Sequence, residues 1–260
     1  MPSPLLLAIP LLSGSAHAAE IAFLPEGSVV ERSLSDREAS QSSLLVRSAS
    51  ESGSTIEGAI GEELPIARVS FGGHKLEMGL NARSAMSFHA DGELTFGLLM
   101  FDGRVGLPLT LGWGGGGATL EWSHTSAHYA DGVRHAGELP ANTEATSLET
   151  LSLQTFHKRG WLTAFQRVEW IYHHTHNVAP LVGYIGFDLT AESAPYSPYL
   201  STSLRGDVDG GDLSLQIGGQ FRGGGKKLRL ALVAHSGRSM WGKSHDSEDN
   251  YLGAILAISP

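Results

Sequence analysis

The densest group of reactive side chains in the sequence is His124-Thr125-Ser126-Ala127-His128. A serine and a histidine two residues apart lie on the same face of a β-strand, because strand side chains alternate between faces. A histidine can take the proton of a serine hydroxyl, and a carboxylate can orient that histidine. The motif therefore indicates nucleophilic, hydrolytic chemistry, with an acid supplied by another strand.

The residues around this motif have the period of two that is typical of β-strands. From residue 104 to 113, apolar residues alternate with small or polar ones, and the alternation resumes with Leu120 and Trp122 after glycines 114–117. The glycine run predicts a hairpin turn. Continued alternation places the serine and both histidines on the face of Leu120 and Trp122.

The acid is expected from the next strand. Residues 129–146 are predicted to form a long loop, after which the chain returns as an antiparallel neighbour. Glu149 falls on the apolar face of that strand, and a simple register puts it close to Ser126. The predicted catalytic residues are therefore Ser126, His124, His128 and Glu149.

Two non-catalytic interpretations of these residues stay open. His124 and His128 can hydrogen-bond loop backbone where the strand ends. Alternatively, a β-bulge can turn them towards the other face of the sheet.

Other motifs give weaker signals. His174 and His176 share a strand face and are candidate metal ligands, without an evident third ligand. The acidic turn at 207–212 lacks the closing glutamate of a calcium loop, and the glycine runs lack the Lys-Ser/Thr of a phosphate-binding loop. We predict no cofactor. A net charge of −9 argues against nucleic acid as a partner.

Strand patterns and turns fill the rest of the chain, from a first strand near residues 66–71 to a last one at 250–259. One pattern covers residues 94–101, and Asp102-Gly103 is predicted to turn the chain before the next. A sandwich, a soluble barrel and a membrane barrel all contain such series. Several strands reach the roughly 9–11 residues that cross a bilayer, and tryptophans near strand ends suggest interfacial girdles.

We therefore expect an all-β fold, a closed antiparallel transmembrane β-barrel of about twelve strands. A secreted soluble β-protein is the alternative. Polar residues on the opposite strand faces are expected to line the lumen: Arg83, Arg104, Glu121, Glu169, Gln216 and Arg222.

The N-terminal residues differ from the rest. An apolar stretch at 5–12 followed by Ala16-His17-Ala18 predicts a secretory signal peptide over residues 1–19. Residues 20–63 are interpreted as a periplasmic lead-in, and residues 64–260 as the barrel. This organisation predicts export to a bacterial outer membrane, whose lipid is then the immediate partner.

Two segments, residues 102–110 and 124–131, resemble the core of an uncharacterised bacterial family, the domain of unknown function 1207. The second motif of that family runs His-x-Ser-Ser-His-Leu-Gly-Asp. The sequence matches it at His124, Ser126, His128 and Asp131, and departs from it at Ala127, Tyr129 and Ala130. Residues 199–253 are also similar. The resemblance implies an outer-membrane β-barrel and no activity, because none is assigned to the family.

The predicted catalytic group also resembles the outward-facing sites of outer-membrane phospholipase A and the lipid A deacylases, where a His-x-Ser pair lies on the barrel exterior. That resemblance implies a surface-facing hydrolase of lipid or acyl esters. The other function that fits a barrel of this size is a non-catalytic scaffold or narrow pore.

Overall fold

The structure is a computed structural model that describes residues 19–49, 53–90, 96–130, 145–175, 178–191, 195–223, 226–239, 241 and 247–259. Apart from Ala19, the predicted signal peptide lies outside these residues. Strands are the regular elements of the described chain. No helix in that part of the chain is long and apolar enough to cross a membrane.

Thirteen antiparallel strands form one sheet within the described residues. Their bounds are β1 Glu20–Phe23, β2 Ser42–Ala49, β3 Gly53–Phe71, β4 His74–Ala90, β5 Phe96–Trp113, β6 Gly116–Tyr129, β7 Thr146–Arg159, β8 Leu162–His174, β9 Leu181–Thr190, β10 Tyr196–Asp207, β11 Gly210–Gly223, β12 Lys226–Gly237 and β13 Tyr251–Ser259.

Strands β2 to β13 close into a barrel. Each pairs with the next along the chain, and β13 pairs back to β2, where Leu256 lies opposite Leu44. The short β1 pairs with the second half of β3, beyond the part that β2 covers. Closure pairs both sides of the ring that β2 to β13 form, since hydrocarbon does not tolerate open sheet edges, and the short β1 is the remaining edge among the described strands. The prediction of a closed antiparallel barrel of about twelve strands is confirmed.

The two ends of the barrel differ. We call one end the turn end, because short turns join successive strands there, at residues 72–73, 114–115 and 160–161. Strand β1 begins at this end and β13 ends at it. Gly72 and Gly73 both have positive φ, 52° and 81°, as a tight hairpin turn requires. We call the opposite end the loop end, because it includes the longer connections, at residues 130–145 and 238–250.

The barrel has an apolar outside and a polar inside. On β5 the outward side chains from Val105 to Trp113 are exposed, whereas inside the barrel Glu121 is 2% and Gln216 1% exposed. This is the reverse of a water-soluble protein and is typical of a barrel surrounded by hydrocarbon. The six predicted luminal residues are buried inside or line its cavities.

Two predicted elements differ from the structure. Asp102-Gly103 is not a turn, because β5 runs through it and Asp102 pairs with Ala85 of β4. The Asp102 carboxylate points into the polar lumen, so its sequence signal resembles that of a surface turn. β2 and the first half of β3, placed in the lead-in, belong to the barrel. The predicted number of about twelve strands still agrees with the barrel because two errors cancel. The sequence predicts two strands where β5 is one, and it does not predict β2 as a barrel strand.

The apolar exterior can be tested with Leu109→Arg, since the exposed Leu109 lies between the levels of Trp113 and Trp122. We expect a loss of about 2–4 kcal/mol in the free energy of unfolding in lipid vesicles, because arginine near the bilayer midplane is that costly. Urea titration measures the change. Val208→Arg is the control, since Val208 is 89% exposed in the turn between β10 and β11. Equal losses for both variants would contradict a lipid-facing β5.

Candidate functional site

The predicted catalytic residues lie on the outside of the barrel, near the loop end of β6 and β7. Along β6 the luminal Glu121 is buried and the outward Leu120 and Trp122 are exposed. The motif continues the outward face, and on β7 the exposed Leu151 marks the same face. Four predicted residues share this face: His124, Ser126, His128 and Glu149.

These four side chains form two hydrogen-bonded pairs. Ser126 Oγ lies 2.9 Å from His128 Nε2, so the hydroxyl can donate to an unprotonated imidazole nitrogen. His124 Nδ1 lies 2.8 Å from Glu149 Oε1, so the ring N–H can donate to the carboxylate. A serine beside a base, and an imidazole oriented by an acid, therefore lie next to each other on one face.

The register between the two strands differs from the predicted one. Glu149 lies opposite His124, and Ser126 lies opposite Ser147. The carboxylate therefore reaches an imidazole rather than the serine. A long loop between two strands does not set their register, so the sequence could not place Glu149 to within two residues.

Aromatic side chains lie beside this polar cluster on the side away from the loop end. Trp122 Nε1 donates to the hydroxyl of Tyr172 at 2.7 Å, and the rings of Trp170 and Tyr172 are 5.6 Å apart. Such groups mark the membrane–water interface. At about 3.3 Å per residue, Ser126 lies roughly 13 Å further along its strand than Trp122. The polar cluster is therefore in the interfacial region, where polar groups on the outside cost little.

One neighbour was not identified from the sequence. His173 of β8 lies opposite Glu149, and a bulge between Glu149 and Thr150 shifts the register there. The histidine run at the end of β8 is the sequence signal for this neighbour, but that run by itself predicts a metal site. Bulges are not visible in strand periodicity alone.

The metal candidates His174 and His176 are not brought together in the described structure. His174 ends β8 and is exposed, and His176 lies outside the described residues. In the described part of the chain, no group of three or more His, Cys, Asp or Glu is placed to hold a metal ion. The predicted pair stays a prediction.

Residues 24–41, between β1 and β2, run from the turn end, where Leu24 is exposed, into the barrel, and we call them the luminal segment. Arg32 donates through Nε to Glu63 on β3 at 2.7 Å and through Nη2 to Glu121 on β6 at 2.6 Å. Arg167 on β8 donates to Asp36 at 2.6 Å. The luminal segment is therefore hydrogen-bonded to three strands of the wall, β3, β6 and β8.

Glu38 of the luminal segment lies among arginines of the wall. Its carboxylate lies within 4 Å of nitrogens of Arg104, Arg167 and Arg205, at 3.7, 3.0 and 3.8 Å. Arg167 Nη2 donates to the Glu38 carboxylate at 3.0 Å. The segment is thus held by one carboxylate among three arginines of the wall.

Glycines in the wall make room for the luminal segment. A Cβ on Gly61 would lie 2.9 Å from the backbone nitrogen of Gln41, and one on Gly112 would overlap Val29. Larger residues at these positions would displace the segment. The sequence does not predict this role. A glycine within a strand, or a charged residue between 31 and 38, does not indicate which distant residue it will contact.

Neither a family model nor a curated protein matches the chain. Among solved structures, the chain is similar to the beta domain of the Bordetella autotransporter Brka, with 14% identity, coverage of 84% of this chain and 96% of that chain, and a TM-score of 0.48. It is also similar to CdiB from Acinetobacter baumannii, with 9% identity, coverage of 84% and 59%, and a TM-score of 0.35. The barrel assignment rests on the chain's own strand pairing and burial.

Proposed function

We propose that the chain is an integral β-barrel of a bacterial outer membrane, with membrane lipid as its immediate partner, that acts as a scaffold rather than an open pore. One observation carries the second part of the proposal. The luminal segment crosses the interior and is ion-paired to β3 and β6 through Arg32 and to β8 through Asp36. A barrel of this size has little further space once a segment fills it.

Several features support the outer-membrane location within this proposal. The exposed apolar side chains cover the outside of the barrel, and the aromatic group of Trp122, Trp170 and Tyr172 is typical of an interface. The predicted signal peptide and the resemblance to the uncharacterised family favour the same location. On this proposal the loop end faces the cell exterior and the turn end faces the periplasm.

Planar-bilayer recording tests the filled lumen. We expect no steady conductance steps from the wild-type protein. Arg167→Ala removes the arginine partner of Asp36 and one of the arginines around Glu38, which weakens the hold on the luminal segment, so we expect transient openings. Arg159→Ala removes the same charge from an exposed residue at the turn end and is the control. Steady steps of equal size from wild type and Arg167→Ala would contradict the scaffold.

The Ser126–His128 hydrogen bond favours a second function, hydrolysis of an acyl ester of a membrane lipid on the barrel exterior. In this reaction the hydroxyl attacks the ester carbonyl while the imidazole takes its proton. The imidazole then returns the proton to the leaving alcohol, and water releases the acyl group from the serine. The interfacial position near Trp122 and Tyr172 brings the serine to the depth of lipid headgroups and esters.

Turnover of an ester phospholipid in mixed micelles tests the hydrolase. We expect Ser126→Ala to reduce the rate by a factor on the order of ten thousand, because the nucleophile is lost. Ser236→Ala is the matched control, since Ser236 is an exposed serine of β12 at the same end. Its rate should equal that of the wild type. Equal rates for wild type and Ser126→Ala would remove the hydrolase function.

Two further variants in the same assay decide which imidazole is the base. The observed Ser126–His128 bond predicts a larger loss for His128→Ala than for His124→Ala. If the rate fell more in His124→Ala than in His128→Ala, and fell similarly in Glu149→Gln, the base would be His124, whose imidazole Glu149 orients.

A further inference from the structure

A cavity of about 400 Å³ opens at the turn end of the lumen, between the luminal segment and the wall. Of the described residues that line it, five are basic and three are acidic, a net charge of +2 in a chain of net charge −9. The basic residues are Arg32, Lys158, Arg222, Lys227 and Arg229, and the acidic ones are Glu31, Glu63 and Asp188. The cavity is thus a positive site in an acidic protein.

Two of the three acids already have partners. Glu63 accepts from Arg32 at 2.7 Å. Asp188 accepts from the backbone nitrogen of Leu34 at 2.9 Å and from Ser201. Among the described residues, Glu31 acts on Lys227 and Asp188 acts on Arg229, and the basic side chains of the cavity still outnumber the acidic ones.

The remaining basic side chains lie close together. The charges that act on Lys227 are those of Glu31, Arg222, Arg229 and Lys158, three of its own sign and one of the opposite sign. Arg229 is buried, and its Nε has no hydrogen-bond partner in the described part of the chain. Like charges gathered in a confined space repel, and a bound anion removes that repulsion.

We propose that this cavity binds a small organic phosphate from the aqueous side at the turn end. Arginine and lysine are the side chains that hold phosphate oxygens, and a volume of this size lies in the range of small-molecule sites. Trp161 also lines the cavity and offers an apolar face for the organic part of the ligand. The site is separate from the exterior serine and needs no hydrolase activity.

Calorimetric titration of the full-length protein in non-ionic detergent with a hexose phosphate tests the proposal. We expect saturable binding that is tighter than that of inorganic phosphate and weakens as salt is added. Lys227→Ala should weaken binding about tenfold or more, since it removes a charged donor from the site. Lys226→Ala is the matched control, because Lys226 donates to Glu62 at 3.2 Å on the exposed surface. It should leave the affinity unchanged.

Three results would overturn the proposal. The first is no saturable binding to a protein whose thermal unfolding shows that it is folded. The second is an equal loss of affinity in Lys226→Ala and Lys227→Ala, which would show non-specific attraction. The third is displacement of the hexose phosphate by phosphatidylglycerol added to the micelles, which would assign the site to a lipid headgroup.

Discussion

Neutralisation of charge inside the barrel is the constraint on which the rest of the structure depends. A closed sheet surrounded by hydrocarbon turns its polar side chains inward, and each buried charge there needs a partner. Glu121 is 2% exposed and accepts from Arg32 at 2.6 Å and from Arg104 at 3.1 Å. Arg32 belongs to the luminal segment, so the charge pairing of the wall extends to the segment. Removing one member of such a pair costs about 3–5 kcal/mol.

The same constraint explains features that are far apart in the sequence. Gly61 and Gly112 have no side chain where the luminal segment approaches the wall. On the outside, the polar group around Ser126 lies beyond the aromatic Trp122, towards the end where lipid gives way to water. At the turn end, the described residues that line the cavity around Lys227 include more basic than acidic side chains.

Much of the fold follows from the sequence because alternation of side chains is a local property. The outward face of β5 and the outward position of the Ser126 motif are examples. The luminal segment has no periodicity, and its partners lie up to 214 residues away, so no local pattern predicts them. The pairing of Glu149 with His124 depends on a register that a long loop does not set. At Asp102 the sequence predicts a turn, whereas β5 runs through it. An aspartate that faces a polar lumen and one in a surface turn give the same sequence signal.

The most direct test of the account is the accessibility of a single cysteine placed in the luminal segment. The chain has no cysteine, so Ser35→Cys and Ser236→Cys each give a single thiol. Ser35 is 1% exposed within the barrel, whereas Ser236 is exposed at the loop end. With the protein folded in lipid vesicles, a charged maleimide should label Ser236→Cys rapidly and Ser35→Cys only after unfolding. Equal labelling rates for the two folded variants would show that the segment lies outside the barrel and would contradict the account.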